Sequence, residues 1–255
     1  MMTDFNAKIR LFVDMPLVAQ QRVTLPDAHR HYLVNVMRLA VGAPLTMFNG
    51  HDGEWAGHIA EISKKQCSVD IAMQIKSQIN CLDLWLLFAP AKRARLDFMA
   101  QKASELGVSC IWPVSTDYCQ ISRVKDERLA ANAIEAAEQT ERMDIAAIRE
   151  FTGLFSVLDQ MEDDRLLIWC DESSAGSPAH NIAAVLQAAP AHDKAAILIG
   201  PEGGFSPSER KQLAGRKNCL KISLGTRILR ADTAAIAALS CYQSICGDWN
   251  GKMSS

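Results

Sequence analysis

Ile197-Leu-Ile-Gly-Pro-Glu-Gly-Gly-Phe-Ser206 and Leu220-Lys-Ile-Ser-Leu-Gly-Thr-Arg-Ile-Leu-Arg230 carry the reading of this chain. Each opens on a short apolar run, Ala195–Ile199 or Leu220–Leu224, that reads as a buried strand. Each run ends at a glycine, Gly200 or Gly225, where the backbone can turn sharply and a ligand can approach without meeting a Cβ. Open α/β sheets place their ligand crevices outside the carboxyl ends of their strands. The spacing therefore predicts two neighbouring loops shaping one pocket. Ser206-Pro-Ser-Glu209 fits a capping box, with Pro207 at the first helical position and Gly215 to close the helix. After the second loop, Asp232 or Thr233 can cap an alanine-rich helix, Thr233–Cys246. One such glycine loop would be an ordinary strand–loop–helix connection. Two of them, with polar residues between, favour a binding site.

Working back from this stretch, strands and helices alternate. Leu82–Ala89, Ser109–Val114 and Arg165–Cys170 read as strands, and Lys92–Leu106, Asp126–Thr140, Leu154–Met161 and His180–Ala188 as helices. This alternation implies a mostly parallel sheet covered on both faces. The first part differs. Arg10–Val13, Pro44–Phe48, Glu54–Ile62 and Cys67–Met73 are short strands around one helix, Leu25–Arg38, with Leu33, Val36 and Met37 facing inward. Asn49-Gly50 is a strong hairpin signal. A small β-barrel is expected, with the polar stretch Gln74–Asn80 as the boundary. The expected domains are residues 1–76 and 77–255.

Of the 255 residues 49% are hydrophobic, and the formal net charge is -2. That balance argues against a general nucleic-acid coat but leaves room for a local basic patch. No apolar run approaches the roughly 20 residues that span a bilayer. The first ten residues lack an apolar signal core, so a cytoplasmic protein is expected. The eight cysteines form no C-x-x-C pair and the six histidines show no ligand spacing, so free thiols and no metal are expected. No G-x-G-x-x-G follows an early strand and no G-x-x-x-x-G-K-[ST] occurs, which removes most support for a dinucleotide enzyme or a nucleoside triphosphatase.

Ile199-Gly-Pro-Glu-Gly-Gly-Phe-Ser206 with Glu209, followed by Leu224-Gly-Thr-Arg-Ile-Leu-Arg230, resembles the RsmE family of ribosomal RNA methyltransferases. The likeness extends to Ala89–Gly107, to Glu135–Arg142, and to Arg10–Ile71, which is similar to the family's PUA-like domain. It implies a SPOUT fold with a C-terminal trefoil knot, S-adenosylmethionine as cofactor, and methylation of N3 of one uridine in 16S rRNA of the small ribosomal subunit. It also implies a homodimer. Two departures stand out. Ala231-Asp232-Thr233 replaces the family's usual Thr-Glu-Thr, and Asp144-Ile-Ala-Ala147 stands where a proline is usual.

Under this resemblance the cofactor lies among Leu198, Ile199, Gly200, Glu202, Gly203, Leu220, Ser223, Leu224, Gly225, Ile228 and Leu229. Backbone groups there can bond an adenine edge while Leu224, Ile228 and Leu229 pack its faces. Methylating uridine N3 requires loss of a weakly acidic proton. Either a base removes it or a cation stabilises the uracil anion. Arg230 suits the second task by its permanent charge and forked donors. Glu202 and Asp232 are the candidate bases. Arg30, Arg38, Lys92, Arg93, Arg95 and Lys102 are expected to meet RNA phosphate, with Lys64 and Lys65 beside them. The competing readings are a SPOUT methyltransferase acting on tRNA, or an RNA-binding assembly factor that has lost catalysis.

Overall fold

The structure is a computed structural model and describes residues 7–90 and 93–250, with backbone alone at 93 and 94. It divides into two compact units, Met1–Asn80 with Ala137–Asp144, and Cys81–Ala136 with Ile145–Ser255.

The first unit holds β1 (Arg10–Phe12), β2 (Arg22–Thr24), β3 (Pro44–Phe48), β4 (Glu54–Ile62) and β5 (Cys67–Lys76) in the order β1-β3-β4-β5-β2. β1 runs parallel to β3, and the other neighbours are antiparallel. Alternate residues of these strands, among them Leu11, Leu45, Met47, Ile59, Val69 and Ile71, form one buried cluster. At the β3–β4 turn the Asn49 side-chain oxygen accepts from the His51 and Asp52 amides, at 3.0 and 2.8 Å, and Gly50 takes φ 87°. Arg10 ties the short segment 137–144 into this unit. It lies over the Phe48 ring and donates to Glu54 at 2.6 Å, to the Ala137 carbonyl at 2.5 Å and to the Arg142 carbonyl at 2.7 Å.

The single helix predicted over Leu25–Arg38 is two pieces. α1 (Asp27–His31) passes into a π-helical turn, Tyr32–Val36, in which the Met37 amide bonds the Tyr32 carbonyl at 2.9 Å. The wider turn rotates the later side chains off the inward face that a 3.6-residue period assigns. Leu33 is buried, but Val36 and Met37 are 58% and 39% exposed, against the expectation that all three point inward.

The second unit is a parallel sheet built from β6 (Asp83–Phe88), β7 (Cys110–Ser115), β8 (Ala147–Ile148), β10 (Leu166–Cys170), β11 (Lys194–Ile199) and β12 (Cys219–Ile222), ordered β12-β10-β11-β6-β7-β8. A two-residue strand, β9 (Thr152–Gly153), also pairs β7. The strands read as apolar runs because both faces are covered. One face, with Leu84, Leu86, Ile197 and Ile199, packs on α2 (Arg93–Glu105), α3 (Asp126–Gln139), α5 (Ile182–Gln187) and α7 (Ala231–Ile245). The other, with Leu87, Trp169 and Leu198, packs on α4 (Leu154–Gln160) and α6 (Pro207–Ala214). The capping box of α6 forms as its sequence predicts. Ser206 Oγ accepts from the Glu209 amide at 3.2 Å and Glu209 accepts from the Ser206 amide at 2.8 Å. For α7 the expectation fails: Arg230 occupies the N-cap position, no side chain caps it, and Asp232 instead accepts from the Thr233 amide within the first turn.

Candidate active site

β10 lies between β11 and β12, and all three run parallel. Their carboxyl ends at Cys170, Ile199 and Ile222 therefore open on one side of the sheet. A cavity of about 280 Å³ sits there, walled by the loops that leave these three strands and by the first turn of α7. The two glycine loops do share one pocket, but a third wall separates their strands. That wall, Cys170-Asp171-Glu172 with Ala175, is absent from the residues picked out by sequence.

Of the predicted residues, Ile199, Gly200, Glu202, Ser223, Leu224, Gly225, Ile228, Leu229 and Arg230 line the cavity. Four do not. Leu198 alternates with Ile199 across the pleat and is buried against the opposite helical layer. Leu220 lies two residues before the strand end and packs partly into the core. Gly203 sits beside Tyr118, so close that a Cβ there would lie 3.3 Å from the Tyr118 Cβ. Asp232 is on the α7 first turn, occupied with the Thr233 amide at 2.8 Å. Pro201, Gly204, Phe205, Ile222, Arg227, Ala231 and Ala234 complete the lining, and the two alanines give α7 a thin face toward the cavity.

The walls differ in chemistry. Ile199, Ile222, Leu224 and Leu229 provide apolar surface, while Asp171, Glu172 and Glu202 bring carboxyl groups. Asp171 is 3% exposed and is held by the Ser173 amide at 3.2 Å, with Arg210 and Lys221 at 3.7 and 3.6 Å. Burial pushes the Cys170 thiol far up, with Cys241 adding to the shift, so it faces the cavity as a neutral group and no nucleophile. Glu202 is ion-paired with Arg95, which joins a predicted cofactor residue to a predicted RNA contact. Arg230 is exposed at the rim. Neither Asp232 nor Glu209 pairs with it. Glu209 is buried and spends its two oxygens on the Asp117 and Ser206 amides, at 2.9 and 2.8 Å.

The remaining predicted RNA contacts are scattered. Arg30 is half-buried with Asp27 at 3.6 Å, and Arg38 is exposed with φ 54°. Lys102 pairs with Glu105 at 2.7 Å on its own helix, so its charge is partly spent. Lys64 and Lys65 are exposed in the β4–β5 turn. Lys92 and the side chain of Arg93 lie outside the described residues. Among the described residues no group of three metal-ligating side chains occurs, and no helix is long and apolar enough to cross a membrane.

The cavity suits a ligand that is part cation and part flat apolar ring. Buried and half-exposed carboxyls can face a positive centre, the leucine and isoleucine side chains can sandwich a ring, and strand-end backbone can bond its edge.

Comparison with known proteins gives the same direction. The profile of the RNA methyltransferase domain family matches residues 77–243, and that of the RNA methyltransferase PUA domain matches residues 25–72. Ribosomal RNA small subunit methyltransferase E of Rickettsia conorii is 34% identical over 232 residues, covering 91% of this chain and 93% of its own length. The Bacillus subtilis protein of that name is 27% identical, covering 84% and 87%. Among solved structures, a Legionella pneumophila protein in complex with bound S-adenosylmethionine superimposes with a TM-score of 0.81 at 31% identity, covering 94% of this chain and 98% of that one. A Neisseria gonorrhoeae ribosomal RNA small subunit methyltransferase E bound to S-adenosylmethionine gives 0.82 at 26%, covering 94% and 99%.

Proposed function

This chain belongs to the ribosomal RNA small subunit methyltransferase E family and methylates ribosomal RNA with S-adenosylmethionine; from that premise we propose that its target atom is N3 of one uridine in 16S rRNA. The observation that supports this reading is the cavity at three parallel strand ends with Arg230 at its rim. When bound, the cofactor supplies a methyl group activated by a positive sulfur.

The chain's own groups do the rest. Ile199, Leu224 and Leu229 would hold the cofactor's adenine, with the backbone at Gly200 and Leu224 free to bond its edge. Glu172, with Asp171 already offset by Arg210 and Lys221, would set negative charge toward the cofactor's cationic sulfur. Arg230 stands where the uracil enters. Its guanidinium has no carboxylate partner among the described residues, so it can bind O2 or O4 and stabilise the anion left when N3 loses its proton. The start of α7, just behind Arg230, adds the positive end of a helix dipole to the same place. Glu202, held by Arg95, is placed better than Asp232 to receive the proton, because it lines the cavity and Asp232 does not.

The wider reading is a cytoplasmic homodimer with a knotted C-terminal segment. Its first 76 residues position RNA through Arg30, Arg38, Lys64 and Lys65. The rest holds the cofactor, with Lys92, Arg93 and Arg95 on phosphate. The test is direct. Purified protein, cofactor and small ribosomal subunits from cells lacking the gene are combined, and the rRNA is digested to nucleosides for mass spectrometry. One new N3-methyluridine per 16S rRNA is expected. Methylation at another atom or base, or only on tRNA, would overturn the assignment.

A further inference from the structure

A second cavity, of about 290 Å³, lies in the same unit between the first turns of α2 and α3 and the segment that leads into α3. Its apolar surface comes from Leu96, Ile121, Val124 and Leu129. Its charged groups are Arg123, Lys125, Arg128 and Asp97. Arg128 and Asp97 cancel, because the guanidinium grips the carboxylate through two nitrogens, with Nε at 2.6 Å. Arg123 and Lys125 are exposed and form no ion pair among the described residues, so the mouth of the cavity keeps an uncompensated positive charge. Asp126 and Glu127 follow on α3, but neither lines the cavity. An apolar hollow beside two free cations is complementary to a nucleotide, base inward and phosphate outward.

The lining segment also links this cavity to the first. Asp117 is fastened to the capping box of α6: its amide donates to Glu209 at 2.9 Å, and its carboxylate accepts from Ser206 Oγ. That fixture holds Tyr118, 47% exposed, against Gly203 in the loop that follows β11. From Tyr118 to Arg123 is five residues, at most about 18 Å of extended chain. An exposed, anchored aromatic ring is a stacking platform for a base. One strand can therefore lie along residues 118–125, from the loop whose Pro201, Glu202 and Gly204 line the first cavity to the second hollow.

We propose that the second cavity is a subsite for a single-stranded nucleotide of the substrate RNA, a short distance along the strand from the target base, with its phosphate on Arg123 and Lys125. The proposal rests on the RNA methyltransferase reading for its occupant. The double variant Arg123→Glu, Lys125→Glu tests it in the full chain. Both side chains are exposed and unpaired, so the fold should survive, as circular dichroism and S-adenosylmethionine titration will report. Binding of a uridine-rich oligoribonucleotide should weaken by about tenfold or more. Its dependence on salt should flatten by about 0.7 in log–log slope, the loss of one phosphate contact on a single strand. Unchanged affinity and slope would overturn the subsite. Equal losses of cofactor and RNA affinity would make these residues part of the fold and would overturn it too. Free uridine monophosphate is the second probe: if it binds as tightly as the oligonucleotide, the hollow is a mononucleotide site and the strand path is wrong. The wild-type protein separates this from the wider reading. Salt-dependent oligonucleotide binding lost in the variant supports the subsite even if the methylated atom proves not to be uridine N3.

Discussion

Gly200 and Gly225 end similar apolar runs for different physical reasons. At Gly200 the dihedral is ordinary, but a Cβ would lie 2.6 Å from the ring of Phe205, itself buried and edge-on to Trp169. At Gly225 nothing lies within 4 Å of a Cβ, but φ is +106°. Gly200→Ala should displace Phe205 from the cavity wall. A loss of about 1–3 kcal/mol in urea unfolding, with weaker S-adenosylmethionine binding by calorimetry, is expected. Native stability and affinity in that variant would show that Phe205 yields freely. For Arg230→Ala, cofactor affinity should hold within about threefold while turnover falls by about a hundredfold, because the charge is needed mainly when the uracil anion forms. A matched fall in both would make Arg230 a cofactor contact. At this scale the sequence was informative where chemistry and period agree. The alternation that separates Ile199 from Leu198 is visible in the run itself, and it leaves only the backbone of Leu198 near the strand end. The Glu202–Arg95 pair was not visible, since those residues are 107 positions apart and meet only through the fold.

Among the elements, the α6 cap has the widest reach. Glu209 is 3% exposed and accepts two amide hydrogens, one from Ser206 and one from Asp117 in the distant segment after β7. Glu209→Gln keeps the shape but turns one acceptor into a donor facing an amide hydrogen. That leaves a buried donor unsatisfied, at a cost of about 1–3 kcal/mol. Urea denaturation should show this loss, and a midpoint unchanged from wild type would mean that the amide finds another arrangement. The box was legible from Ser206-Pro-Ser-Glu209, because capping is local. The tie to Asp117 is tertiary and carried no local signal. The same distinction explains the missed cavity wall. Arg165–Cys170 reads as a strand, but no glycine marks its end, and chain order does not reveal that β10 lies between β11 and β12. The π-turn at Tyr32–Val36 was likewise hidden, since a 3.6-residue face is assigned before the hydrogen bonds that widen it are known.

For the whole molecule, the fold class was readable because strands buried on both faces leave continuous apolar runs between helices, and Ala195–Ile199 is such a run. The oligomeric state rests on the proposal of pairing. Light scattering at micromolar concentration should give about twice 28.0 kDa; a mass equal to one chain would end the dimer proposal. A last consequence concerns time. All the residues that wall the cavity at the three strand ends fall between Cys170 and Ala234, late in the chain. Chains are made at roughly 5–20 residues per second and fold from the N-terminus onward. The strands of the first unit, all before residue 77, therefore emerge well before any cofactor site can exist. An unfinished copy of this enzyme has its first unit but no cavity at the strand ends, so synthesis cut short yields a chain that can neither spend cofactor nor modify its target.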